Sequence, residues 1–271
     1  MKPYVVIAIF LLSLSCQGQE LYSATEPASN IAAGSISFRF DNLIMDEIGS
    51  SKINYHLIPT VMVGLSKKLM VQGNVFFSNR NKNRLDYEGG SVYAKYRFLS
   101  HDAVQKHFRM AAFGRISRNN SDIHQEELNM NGHNSGFEAG MVATQLLRKV
   151  ALSSSFSFLQ ASDNGKNNKF LYGTTNTKAV NYSFSIGKLM LPKEYKDYRQ
   201  TNVNLMLEFL SQVNIGSGKY YMDVAPSVQM IFNSQSRVDI GYRSELSSTM
   251  LRTAPNGFFI RLEHNLFNAV K

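Results

Sequence analysis

Residues 92–98 read Val92-Tyr93-Ala94-Lys95-Tyr96-Arg97-Phe98. Successive side chains of an extended chain point to opposite faces, so Val92, Ala94, Tyr96 and Phe98 fall on one face and Tyr93, Lys95 and Arg97 on the other. One face is apolar and the other carries all the charge. The same period of two returns along the chain. Ile36, Phe38 and Phe40 alternate with Ser35, Ser37 and Arg39, and Leu69, Val71, Val75 and Phe77 with Met70, Gln72, Asn74 and Ser78. Val180, Tyr182, Phe184 and Ile186 alternate with Asn181, Ser183, Ser185 and Gly187. The rhythm predicts about twelve strands, near 34–44, 53–64, 68–79, 87–99, 107–118, 135–147, 149–161, 178–188, 201–213, 219–232, 236–246 and 257–268.

The connections add independent information. Ile44 to Lys52, Arg80 to Asp86, Asn119 to Asn134 and Ser162 to Thr177 are the longer ones. They alternate with brief ones at Leu65-Ser66-Lys67, Ser100 to Lys106, Arg148-Lys149 and Asn233 to Gln235. Short turns at one end and longer loops at the other are what an outer-membrane barrel builds. Lys188 to Gln200 departs from the pattern, being long, basic and aromatic on the short-turn side. Strands of about nine to eleven tilted residues cross a bilayer, and backbone edges left unpaired in hydrocarbon cost several kcal/mol per group, so such a sheet must close. The expected fold is all-β: a closed antiparallel transmembrane β-barrel of about twelve strands.

Composition agrees. Of 271 residues, 44% are hydrophobic and 18% charged, which excludes a disordered chain, and no apolar run is long enough for an ordinary membrane helix. The formal charge of +9 invites a nucleic-acid reading. The basic residues are spread over turns, strands and loops instead of forming one stripe with stacking aromatics, so that reading fails. Lys67, Lys68, Arg148, Lys149, Lys188, Lys193, Lys196 and Arg199 all fall on the short-turn side, where anionic head groups suffice as partners.

Met1-Lys2, the apolar run Val5 to Leu14 and the small residues after it form a secretory signal pattern. Two processing routes are open: a cut after Gly18, or lipidation of Cys16, for which Ser13-Leu14-Ser15 lacks the preferred leucine three residues before the cysteine. Cys16 is the only cysteine, so a disulfide framework is excluded. The expected organisation is a signal peptide at 1–18, a periplasmic lead at 19–33 and the barrel at 34–271.

With signal, strand rhythm, loop alternation and a final alternating strand (Phe258, Ile260, Leu262) ending near Phe267, the chain resembles a Gram-negative outer-membrane β-barrel protein of the porin or transporter-like kind. The segments Glu20 to Tyr22 with Glu26 to Asn30, Asn120 to Glu126, and Arg252 to Gly257 resemble a barrel group to which no substrate attaches. The absence of Trp and the terminal Lys271 depart from the usual pattern. The resemblance implies residence in the outer membrane, with its lipid and the barrel-assembly machinery as partners. It implies no cofactor.

If the apolar face meets lipid, the opposite face meets the lumen. It carries Lys95, Arg97, Arg109, Arg115, Glu138, Glu208, Asp223, Arg237, Asp239, Arg243, Arg261 and Glu263, seven basic groups against five acidic. A Lys or Arg turned to the bilayer midplane costs about 2–4 kcal/mol, which forces this assignment once the barrel is accepted. Two readings follow. The lumen passes small hydrophilic solutes with a mild anion preference, as charge rings do in pores; or these groups pair across a closed lumen, Arg109 or Arg115 with Glu138 for instance, in a structural or assembly barrel.

Enzymatic chemistry is not expected. His133 and Ser135 share a strand face, and a His-x-Ser pair serves barrel lipid hydrolases, but Gly136 stands where those carry asparagine and no orienting acid is evident. Asp122, His124, Glu126, Glu127 and His133 form a carboxylate and histidine cluster whose spacing matches no metal loop, so no metal is assigned. The scattered glycines form no phosphate-binding motif.

Overall fold

The computed structural model describes residues 22–49, 52–80, 84–104, 106–165, 177–193 and 200–270. The signal region and most of the 163–176 and 192–200 connections lie outside them. Twelve strands run in chain order: β1 (Ile36–Asp46), β2 (Ile53–Gly64), β3 (Leu69–Ser78), β4 (Asp86–Ala103), β5 (Lys106–Asn119), β6 (Ser135–Leu147), β7 (Val150–Ser162), β8 (Lys178–Leu191), β9 (Asn202–Asn214), β10 (Tyr220–Phe232), β11 (Ser236–Ser248) and β12 (Asn256–Leu266). Each pairs antiparallel with its sequence neighbours, and β1 pairs with β12 from Ile36 opposite Leu266 to Asp46 opposite Asn256. The barrel is closed, so no strand edge is left without a ladder. β4 runs on to Ala103, consuming most of the expected Ser100–Lys106 turn; a register shift between Arg97 and Leu99 absorbs the extra residue.

Burial alternates along the strands as the sequence rhythm predicts. Phe38, Phe40, Val92, Tyr96, Phe98, Phe156, Tyr182, Phe184, Phe258 and Leu262 are exposed on the outer wall, while Ser37, Arg39, Lys95, Ser183, Ser185, Arg261 and Glu263 are buried inside. An exposed apolar surface running round every strand is far larger than a soluble monomer shows, and acyl chains are the solvent it fits.

Two inserts fill the lumen, and each carries the apolar residues that dock it. The segment from Tyr22 to Ser35 enters at the short-turn end: Ile31 packs against Met62, Met70 and Tyr93; Ala28 against Ala111 and Val142; and Tyr22 against Leu146, Ala151 and Met206 on the far wall. The loop between β5 and β6, residues 120–134, folds in from the other end, where Leu128 and Met130 join Leu159, Ala161 and Ala179.

Candidate functional site

The first insert is held by polar groups that would be costly to bury alone. Glu208 of β9 accepts hydrogen bonds from the backbone N–H groups of Ser23 (2.9 Å), Ala24 (2.7 Å) and Thr25 (2.8 Å), and from the Thr25 hydroxyl (2.7 Å). Lys95 of β4, only 1% exposed, donates from Nζ to the carbonyls of Pro27 (2.7 Å) and Ser29 (2.8 Å). Thr144 Oγ1 accepts from Ala28 N–H at 2.9 Å. Arg39 bridges Glu26 of the insert to Glu263 of β12, to which its Nε lies at 2.9 Å. From Glu263 the charges continue across the wall through Arg237 (3.3 Å) to Asp239 (3.2 Å), while Arg261 pairs with Asp41. Burial pushes the Glu26 carboxyl up, but Arg39 and Lys95 outweigh it and hold the group well below the usual carboxylate range.

Backbone geometry lets this insert leave the wall closely. Gly34 has φ of +73°, and its N–H donates to the Gly64 carbonyl at 2.7 Å. A Cβ on Gly64 would lie 2.1 Å from the Ala32 carbonyl oxygen, so only glycine there allows the chain to pass.

The second insert is fixed from the long-loop end. Arg252, in the connection between β11 and β12, donates from Nη1 and Nη2 to the two oxygens of Asp223 (2.7 Å each), from Nε to Glu127 (2.7 Å) and from Nη1 to Glu245 (2.9 Å). Its guanidinium carbon sits 4.0 Å from the Tyr221 ring centroid. Arg243 reaches Asp223 (2.6 Å) and Glu127 (3.3 Å). Lys219 pairs with Glu126 at 2.8 Å, and Gln212 both accepts from Leu128 N–H (2.8 Å) and donates to its carbonyl (2.7 Å). Burial raises the Glu127 carboxyl, yet Arg252 and Arg243 prevail and keep it below its ordinary value.

Between the inserts lies a cavity of about 220 Å³, lined by Glu26 of the first, Glu127 to Asn131 of the second, and polar groups of the wall. Smaller spaces of about 200 and 70 Å³ continue toward the long-loop end; Asn129 and Arg243 line all three. Four guanidinium groups (Arg39, Arg115, Arg243, Arg261) and four carboxylates (Glu26, Asp41, Glu127, Glu138) face the largest.

The twelve strand charges singled out in sequence divide by depth. Lys95, Glu208, Arg237, Asp239, Arg261 and Glu263 join the network round the first insert, whereas Asp223 and Arg243 join that round the second. Arg115 Nε lies 3.7 Å from Glu138 beside the cavity. Arg97 and Arg109 sit at the short-turn rim: Arg97 donates to the Lys67 carbonyl (2.7 Å), and Arg109 to Asp102 (3.0 Å) and to Ser29 Oγ (2.9 Å). Arg39 and Asp41 lie on the polar phase of β1, where the same alternation turns them inward. Glu26, Glu127 and Arg252 stand outside any strand, where alternation carries no signal.

The His133 and Ser135 side chains turn to different partners. His133 Nδ1 accepts from Arg80 Nη2 (2.8 Å) and Gln125 Nε2 (3.1 Å), and its ring stacks on His56 at 4.9 Å. Ser135 Oγ accepts from Asn119 N–H (2.9 Å) and donates to the Asn119 carbonyl. An imidazole so engaged takes no proton from the serine, and burial together with Arg80 holds His133 far below its ordinary pKa. Glu126 and Glu127 are spent on Lys219, Arg252 and Arg243, and among the described residues no group of three or more His, Cys, Asp or Glu is placed to hold a metal ion.

No protein-family model matches the chain, and no curated protein matches its sequence. Among solved structures it is similar to an outer membrane channel from Pseudomonas putida F1, at 11% identity over 91% of this chain and 99% of that one, with a TM-score of 0.54. CdiB from Escherichia coli (6% identity, 85% of this chain and 63% of that chain, TM-score 0.41) and OmpF of Salmonella typhi in complex with daunomycin (8%, 86% and 96%, TM-score 0.37) lie further off. Likeness at these identities is a likeness of fold. With the continuous apolar exterior and the polar, ion-paired interior, the fold is that of an outer-membrane β-barrel.

Proposed function

We propose that the protein is a gated channel for small hydrophilic solutes and that this structure is its closed state. The observation that carries this reading is the row of cavities at and beyond mid-lumen, the two larger ones mainly polar, closed below by the Tyr22–Ser35 insert and above by the 120–134 loop, both seated by non-covalent contacts. A purely structural barrel needs no enclosed polar space, since apolar side chains fill a lumen at lower cost than buried ion pairs. The similarity in fold to an outer membrane channel points the same way. The strand charges favour anions seven to five, but the inserts bring the wall of the largest cavity to four against four, so selectivity between anions and cations is weak. Planar bilayer recordings test the reading: brief steps of conductance over a closed baseline support it, and a permanently silent folded protein assigns the barrel to a structural or assembly role.

A further inference from the structure

We infer that the long-loop mouth of the barrel binds one small oxyanion, of phosphate or carboxylate size, between Arg80, His56 and His133. The inference holds whether or not the lumen conducts. Three elements meet there: β2 supplies His56, the connection between β3 and β4 supplies Arg80, and the 120–134 loop supplies Gln125 and His133. The two imidazoles stack with centroids 4.9 Å apart, and Arg80 Nη2 lies 2.8 Å from His133 Nδ1 and 3.4 Å from His56 Nε2. Among the described residues the guanidinium has these two rings as hydrogen-bond partners and no carboxylate in an ion pair. The nearby acids are engaged elsewhere, Glu88 by Ser78 Oγ and Glu127 by Arg252 and Arg243. Burial weighs on the Arg80 charge more than those acids offset it, and holds its pKa below the ordinary guanidinium value.

A guanidinium has donors and no acceptor, and a neutral imidazole that accepts at one nitrogen donates at the other. His133 accepts at Nδ1 from Arg80 and Gln125, so its proton sits on Nε2. Arg80 and His133 each retain some accessible surface, and neither His133 Nε2 nor the remaining guanidinium nitrogens are sealed from solvent. They border a cavity of about 70 Å³ whose wall carries two guanidinium groups, Arg80 and Arg243, against one carboxylate, Glu127. Donors in excess beside a net positive charge call for an acceptor that is itself charged. The space equals a few waters, at roughly 30 Å³ each in the liquid, which fits one anionic group and not a sugar or a nucleotide. Because the site joins the wall to the loop, a bound anion would hold the loop in its seat.

The test is titration calorimetry of sodium phosphate, and separately of sodium acetate, into the full mature chain folded in detergent at neutral pH. One saturable equivalent of at least one of them is expected, and Arg80→Gln is expected to weaken it about tenfold or more. The same anion should slow protease cleavage within residues 120–134 in Lys219→Met, where loss of the Glu126 pair loosens the loop at a distance from the site. No saturable binding to the unaltered chain, equal affinity in Arg80→Gln, or cleavage unaffected by the anion overturns the assignment. Protection by phosphatidylglycerol added to the micelle, with neither free anion binding, would move the phosphate to the outer wall and overturn it as well. The titration of the unaltered chain and the cleavage assay decide even if Arg80→Gln fails to fold.

Discussion

Glu208 and Thr25 stand 183 residues apart in sequence, yet the carboxylate accepts from both the N–H and the hydroxyl of Thr25, at 2.8 and 2.7 Å. With Ser23 and Ala24 on its other oxygen, one buried side chain of the barrel wall terminates three successive amides of the insert. Glu208→Ala leaves those amides in the lumen without partners, at about 1–3 kcal/mol for each. The insert is therefore expected to leave its seat while the barrel stays closed. Limited proteolysis of the folded protein would show new cleavage between residues 22 and 33, absent in the unaltered chain.

Gly64→Ala should act on the same insert from the opposite wall, because the added Cβ meets the Ala32 carbonyl at 2.1 Å. Backbone against backbone has no cheap relaxation. The expected result is longer channel openings with heat-modifiable migration retained, read in a planar bilayer.

For the loop insert the decisive group is Arg252. Arg252→Met removes one of the two guanidinium partners of Asp223, which is fully buried, and of Glu127, leaving Arg243 alone with both; the cost stays below the roughly 3–5 kcal/mol of a buried charge left wholly unpaired. The 120–134 loop should then become sensitive to protease added to the long-loop side, with the Tyr22–Ser35 insert unaffected. Cleavage of both would show that the two inserts are coupled.

Acid should loosen the two inserts in sequence. His133 is buried in the 120–134 loop and held far below its ordinary pKa, so below about pH 6.5 the released loop binds a proton that the seated loop does not, and the loop's stability falls. Glu26 and Glu127 have carboxyls held below the usual range by adjacent guanidinium groups, and their contribution, present above the unfolded value of about 4.3, is lost only as pH falls through the folded value. Protease sensitivity of the 120–134 loop is expected to rise below about pH 6.5, and that of the Tyr22–Ser35 insert only below about pH 4. Loss of both together near pH 4 would contradict the part given to His133.

The strands were legible because alternation is a local signal: Val92 to Phe98 states its two faces within seven residues. The closed ring follows, since hydrocarbon tolerates no open edge. The filling of the lumen was not legible. Tyr22, Ala28, Leu128 and Met130 are single apolar residues in polar surroundings, and their partners, such as Leu146 or Leu159, lie tens to hundreds of residues away. A carboxylate at Glu208 in mid-strand signals that a partner exists without saying that three amides of the lead supply it. The pairing of Arg115 with Glu138 was accessible because adjacent strands place them side by side.

Thr25 Oγ1 and Ser185 Oγ lie 3.0 Å apart across the boundary between insert and wall, close enough for sulfurs in their places to bond. In a chain expressed from residue 19, and so without Cys16, Thr25→Cys with Ser185→Cys introduces the only two thiols. If displacement of this insert opens the pore, the oxidised protein should be silent in a planar bilayer and the reduced protein should show reversible steps of conductance. Equal conductance in both redox states would contradict it.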